Sequence, residues 1–168
     1  MGLGTLRIAE DFRPFFGAGL STVLDPARAN DWPAPWDVYW SKAKPAPLVF
    51  TYAELGEDLG ENPSPDRRRL LGALIGKLAW PKGTITFWPT RTPGANPDPT
   101  LFLRGVRRLG GRAVCCFGSS SIEGLGLPEA SVSFEWRGIQ MLVAPELSDD
   151  YLLGDPAAEL SACLQGIF

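Results

Sequence analysis

The stretch from Ser64 to Pro89, SPDRRRLLGALIGKLAWPKGTITFWP, reads as one helix leading into one buried strand. Ser64 is placed to cap the helix, Pro65 fits its first turn, and Asp66 suits the positive end of the helix dipole. Leu70, Leu71, Leu74, Ile75 and Leu78 recur at helical spacing and make one apolar face. Pro81 and Gly83 stop the helix. Thr84 to Trp88 is β-branched and aromatic, and Pro89 closes it, as expected of a short strand. A chain holding such a unit is expected to repeat it and to keep its functional groups at the strand ends.

The repeat can be followed. Leu48–Tyr52 reads as a strand before the helix, with a polar loop from Ala53 to Pro63. Thr90–Pro99 is a turn-rich loop, and Thr100–Leu109 is a helix ended by Gly110-Gly111. Ala113–Phe117 is a strand, Gly118–Ser121 starts a short helix, Gly138–Ala144 is a strand, and Pro156 opens a last helix. The order β-α-β-α-β-(α)-β-α predicts a three-layer α/β/α domain on a mainly parallel four-stranded sheet. Residues 46–168 would form it. Residues 1–45, with Pro14, Pro26, Pro33, Pro35 and Pro45, read as an irregular aromatic arm. Its Trp32, Trp36, Tyr39 and Trp40 are expected to pack on the domain rather than stack on bases.

Ligands of such sheets sit beyond the carboxyl ends of the strands. Four stretches lie there: Tyr52–Asp58, Trp88–Arg91, Gly118–Ser121 and Ala144–Ser148. The chain has no histidine, which excludes Ser-His-Asp and Cys-His nucleophile systems. Acid–base work would fall to Glu54, Asp58 and Glu146. Tyr52 and Trp88 offer rings for a base, and Gly118 and Ser119 offer a turn for a phosphate. That turn is neither a Walker loop nor a GxGxxG loop. Three cysteines, Cys115, Cys116 and Cys163, make no disulfide framework and fit no zinc spacing, so neither metal nor cofactor is expected, and the compartment reads as cytoplasmic. The first residues lack the pattern of a signal peptide, and no apolar run approaches a membrane span.

Net charge is −3 but segregated. Residues 1–60 hold 5 basic and 8 acidic side chains, residues 61–112 hold 10 and 3, and residues 113–168 hold 1 and 8. Folding can interleave these into a mixed surface. Alternatively Arg67, Arg68, Arg69, Arg104, Arg107, Arg108 and Arg112 form a basic face for a polyanion.

The strand ends also carry a resemblance. Tyr52-Ala53-Glu54-Leu55-Gly56 runs on to Gly60 and Pro63. Arg91-Thr92-Pro93-Gly94-Ala95-Asn96-Pro97 follows the second strand, Phe117-Gly118 ends the third, and Ala144-Pro145-Glu146 ends the last. Tyr151-Leu-Leu-Gly-Asp-Pro156 forms a tail. In this order and punctuation, from about Pro47 to Phe168, the chain resembles the uracil-DNA glycosylase superfamily, especially its bacterial iron–sulfur branch. The resemblance implies a pocket at the strand ends that takes an extruded uracil. The family's side chains are not at the matching positions. Tyr52 stands where a glycine is expected, and the first-loop acid is displaced by one place to Glu54. The family's His-Pro-Ser is Ala144-Pro145-Glu146, the uracil-reading asparagine is absent from Phe87–Thr90, and the cluster cysteines are missing. Loss of such an oxyanion donor costs about 10²–10³ in rate. The same scaffold without glycosylase residues also looks like the psi subunit of the bacterial DNA polymerase III clamp loader, a protein-interaction module.

The expected function is therefore a divergent glycosylase-like protein without ordinary uracil excision. It would bind DNA or a DNA-replication or repair protein, with no membrane and no metal cluster. Two alternatives stay open: a hydrolase of altered mechanism using carboxylates, and a structural domain without nucleic acid contact.

Overall fold

The computed structural model describes residues 31–127 and 132–165; residues 1–30 of the expected arm lie outside the described residues. The elements are α1 (Trp36–Lys42), β1 (Leu48–Tyr52), α2 (Leu55–Asp58), α3 (Pro65–Leu78), β2 (Ile85–Phe87), α4 (Pro99–Arg108) and β3 (Ala113–Phe117). A 3-10 turn at Ser119–Ser121 follows, then β4 (Ser133–Trp136), β5 (Ile139–Ala144), α5 (Asp149–Leu153) and α6 (Pro156–Cys163). Local chemistry sets the helix starts. Ser64 Oγ accepts from the Arg67 amide at 3.3 Å, and Asp98 Oδ1 accepts from the Leu101 amide at 3.0 Å, each with a proline next in line.

The sheet order is β2-β1-β3-β5-β4. β2, β1, β3 and β5 run parallel, as the alternation of strands and helices requires. The expected count of four strands is corrected to five, because β4 pairs antiparallel with β5. Its Ser-Phe-Glu-Trp alternation is joined to β5 through Arg137 and Gly138, whose φ values of 50° and 82° match a two-residue hairpin turn. The stretch expected to be irregular up to residue 45 contains α1.

The chain leaves β1 toward β2 on one side and returns to lay β3 on the other. The switch point therefore falls between β1 and β3, where an open parallel sheet forms its crevice. β1 and β3 are buried along their whole lengths. Their alternate side chains feed two cores. On one face Val49, Val114, Cys116 and Met141 meet Phe102, Leu103 and Val106 of α4, together with Trp36 and Tyr39 of α1. On the other, Phe50, Cys115, Phe117 and Leu142 meet Leu70, Leu74 and Leu78 of α3 and Leu160 of α6. The aromatics Trp32, Trp36 and Tyr39 are buried in the first core, and Trp40 packs against it.

Candidate functional site

The loop after β1 is built around one carboxylate. Asp58, at the end of α2, accepts from Arg67 Nε at 2.7 Å and Arg67 Nη2 at 2.9 Å. It also accepts from the Ser64 amide and the Tyr52 hydroxyl, both at 2.8 Å. Burial works to raise the Asp58 carboxyl, but the bonds from Arg67, Ser64 and Tyr52 outweigh it and hold the group below the usual carboxylate value. The Tyr52 hydroxyl is raised, first by burial and then by its bond to Asp58. Four donors thus fix Asp58, which ties β1 to the start of α3.

The expected site residues do not share one cavity. Tyr52 and Asp58 line a hollow of about 340 Å³ between α3 and β2, with Leu55, Leu71, Ile75 and Phe87. Glu54 lines another of about 420 Å³ between the loops that follow β1 and β2, opposite Arg91. Arg91 Nε donates to the Ala53 carbonyl at 3.1 Å and joins these loops. Gly56 allows the approach, since a Cβ there would stand 2.5 Å from the Arg91 carbonyl oxygen. Gly118, Ser119 and Glu146 line a third hollow of about 590 Å³ at the ends of β3 and β5. Glu159 of α6 joins Glu146 there, an acid that the sequence alone does not bring to a strand end. Ala144 is buried at the end of β5.

Trp88 lies in none of these hollows. Its exposure is 0%. The indole sits against Gly105 of α4, its centroid 5.0 Å from that of Trp32 and 5.5 Å from that of Trp36, and Nε1 donates to the Leu101 carbonyl at 3.3 Å. In this arrangement the ring offers no face to a base, which corrects its expected stacking role.

The arginines do not form one basic face. Arg67, Arg68 and Arg69 belong to α3, and Arg104, Arg107 and Arg108 to α4, which cover opposite faces of the sheet. Most are already engaged. Arg67 holds Asp58, and Arg69 meets Asp149 at 2.9 Å. Arg104 and Arg108 reach the Asp31 carboxylate at 3.5 and 3.7 Å and lie 4.5 and 5.3 Å from the Trp32 ring centroid. Arg107 donates to the Arg137 carbonyl at 3.2 Å. Arg68 is exposed and makes no side-chain hydrogen bond or ion pair among the described residues. Among those residues, folding has interleaved acids from both ends of the chain with the basic middle.

The cysteines do not fit the iron–sulfur cluster of the resembled branch. Cys115 and Cys116 are adjacent on β3 and point into opposite cores, and Cys163 is half-buried on α6. Burial raises both β3 thiols, that of Cys116 to about 12, so neither is a ready thiolate. Among the described residues no group of three or more cysteine and carboxylate side chains is placed to hold a metal ion, and no helix is long and apolar enough to cross a membrane. No family model matches the chain, and no curated protein matches it.

Proposed function

We propose that this chain is a divergent relative of the uracil-DNA glycosylases that has lost uracil excision and works as a protein-binding module in DNA metabolism. The observation that carries the reading is the dispersal of its acids. Asp58 is consumed by Arg67, Tyr52 and Ser64, while Glu54 and Glu146 line separate hollows. A hydrolase of this kind needs a water-placing group and an oxyanion donor converging on one scissile bond. Here Ala144 occupies the matched donor position, and a methyl group donates nothing. Protein is favoured over nucleic acid because the arginines are divided between two faces and largely paired. The three free cysteines support a cytoplasmic setting.

The test is uracil release from single- and double-stranded oligonucleotides carrying one uracil, read by alkaline strand cleavage. No release above the protein-free control is expected, and efficient release refutes the reading. Binding to the same oligonucleotides should be weak at low salt and change little as salt rises. A steep salt dependence would show several phosphate contacts and restore the nucleic-acid role.

A further inference from the structure

β2 is the outermost strand on its side of the sheet. Its inner polar groups serve β1: the Leu48 amide donates to the Thr84 carbonyl at 3.2 Å, and the Trp88 amide donates to the Phe50 carbonyl at 3.3 Å. Strand alternation turns the amides and carbonyls of Ile85 and Phe87 the other way, outward. Neither residue makes a backbone hydrogen bond beyond the sheet among the described residues. An open edge of this kind is a template for another strand.

Two hollows flank that edge, and both are lined by Leu59 and Phe87. The one against α3 has a floor of Leu55, Leu71 and Ile75, and Ile75 is 39% exposed. α3 presents Gly72 on its wall, with no atom within 4 Å of where a Cβ would stand, so the helix keeps that space open at a cost of about 1 kcal/mol in propensity. The second hollow, about 210 Å³, lies beneath Lys42, Ala43 and Lys44, where the Lys44 amide donates to Thr86 Oγ1 at 3.3 Å.

Among the described residues the unpaired charges at the rims are positive. Arg68 borders the first hollow, and Lys42 and Lys44 border the second. Lys42 Nζ donates to the Leu59 carbonyl, while the head groups of Arg68 and Lys44 have no partner among the described residues. Asp58, the one acid lining either hollow among the described residues, is already neutralised by Arg67. A chain of net charge −3 thus carries positive rims around an apolar edge.

We propose that the outer edge of β2 accepts an extended acidic peptide segment of a partner protein, added as a sixth strand. Neighbouring side chains of an added strand point to opposite faces, so two consecutive apolar residues would enter the two hollows, and acidic residues on either side of them would meet Arg68 and Lys44. Backbone bonds to Ile85 and Phe87 supply affinity, and the hollows supply selectivity. A nucleic acid fits less well, because the floor is mainly aliphatic and two unpaired cations make no backbone track. The proposal specifies the partner class and therefore rests on the protein-binding reading.

The experiment selects from a displayed library of random dodecapeptides on the full chain, then measures the enriched peptides by fluorescence anisotropy. Peptides carrying adjacent apolar residues flanked by acidic ones should emerge. Arg68→Glu and Gly72→Leu should each weaken them about tenfold or more. Both changes lie on an exposed helix face, and the second raises helix propensity, so both variants should fold. N-methylation of alternate peptide amides should abolish binding. No enrichment, enrichment of basic peptides, or affinity unmoved by both variants would overturn the proposal. So would self-association lost with Gly72→Leu, which assigns the edge to a second copy, or displacement of the peptide by oligothymidylate. Uracil release is read on the same preparation. Release with peptide binding removes the loss of excision alone, and failure of both peptide binding and release removes the edge-docking proposal alone. Release without peptide binding removes both.

Discussion

Gly105→Ala should destabilise the protein, against the ordinary sign of that change. In a helix interior alanine is favoured over glycine by about 1 kcal/mol. Here a Cβ at position 105 would stand 2.0 Å from Trp88 Cε2 and Nε1, and 2.5 Å from Cζ2. Ordinary carbon contacts begin near about 3.5 Å, so the gap must open by roughly 1.5 Å. The indole has nowhere to go. It is wholly buried, its centroid lies 5.0, 5.5 and 6.0 Å from those of Trp32, Trp36 and Trp40, and Nε1 is bonded to the Leu101 carbonyl. Overpacking a tight core costs about 1–3 kcal/mol, and a clash this deep belongs at the upper end. Less the propensity gain, about 2 kcal/mol of net destabilisation remains. Urea unfolding followed by far-ultraviolet circular dichroism should show the midpoint falling by about 1 M, given a typical slope of about 2 kcal/mol/M. Gly76→Ala is the control. Nothing lies within 4 Å of its Cβ position, so the midpoint should rise. A Gly105→Ala protein as stable as the original would refute the packing of Trp88 against α4. It would also reopen that ring as a ligand contact.

Asp58→Asn should cost about 2 kcal/mol at neutral pH through the loss of charge-assisted bonds to Arg67. The folded carboxyl is held below its ordinary value, so its contribution is complete above about pH 4 and is lost as pH falls through that lowered value. The acid limb of stability should therefore be shallower in the variant, and identical limbs would contradict the assignment. DTNB should modify Cys163 first in the native protein, leaving Cys115 and Cys116 to react on unfolding. Rapid modification of the β3 thiols would show that β3 is not sealed.

Local chemistry made the Ser64–Pro89 unit readable. A capping serine, a proline at the first turn and a leucine stripe act within a few residues, and α3 begins and caps as they dictate. β4 was not readable in the same way, because its signal is a four-residue alternation closed by Arg137-Gly138, a weaker hairpin mark than Asn-Gly. α2 is four residues long, too short for any periodicity. The candidate site was legible only as a set of strand ends. Which ends adjoin depends on the β2-β1-β3-β5 order, and that order also sends α3 and α4 to opposite faces and separates the arginines. The Asp58–Arg67 pair spans only nine residues, yet it forms because α2 and α3 fold back across Pro63, a turn no side-chain pattern announces.

The indoles of Trp32, Trp36, Trp40 and Trp88 give the molecule a spectroscopic signature of its own. Centroid separations of 5.0 to 6.0 Å to Trp88 are short enough for their electronic transitions to couple. Three of the four chromophores precede β1 in the chain, while the fourth follows β2. Their exciton coupling to Trp88 therefore exists only while residues 32–40 stay seated on the sheet, and it reports that one joint separately from the rest of the molecule.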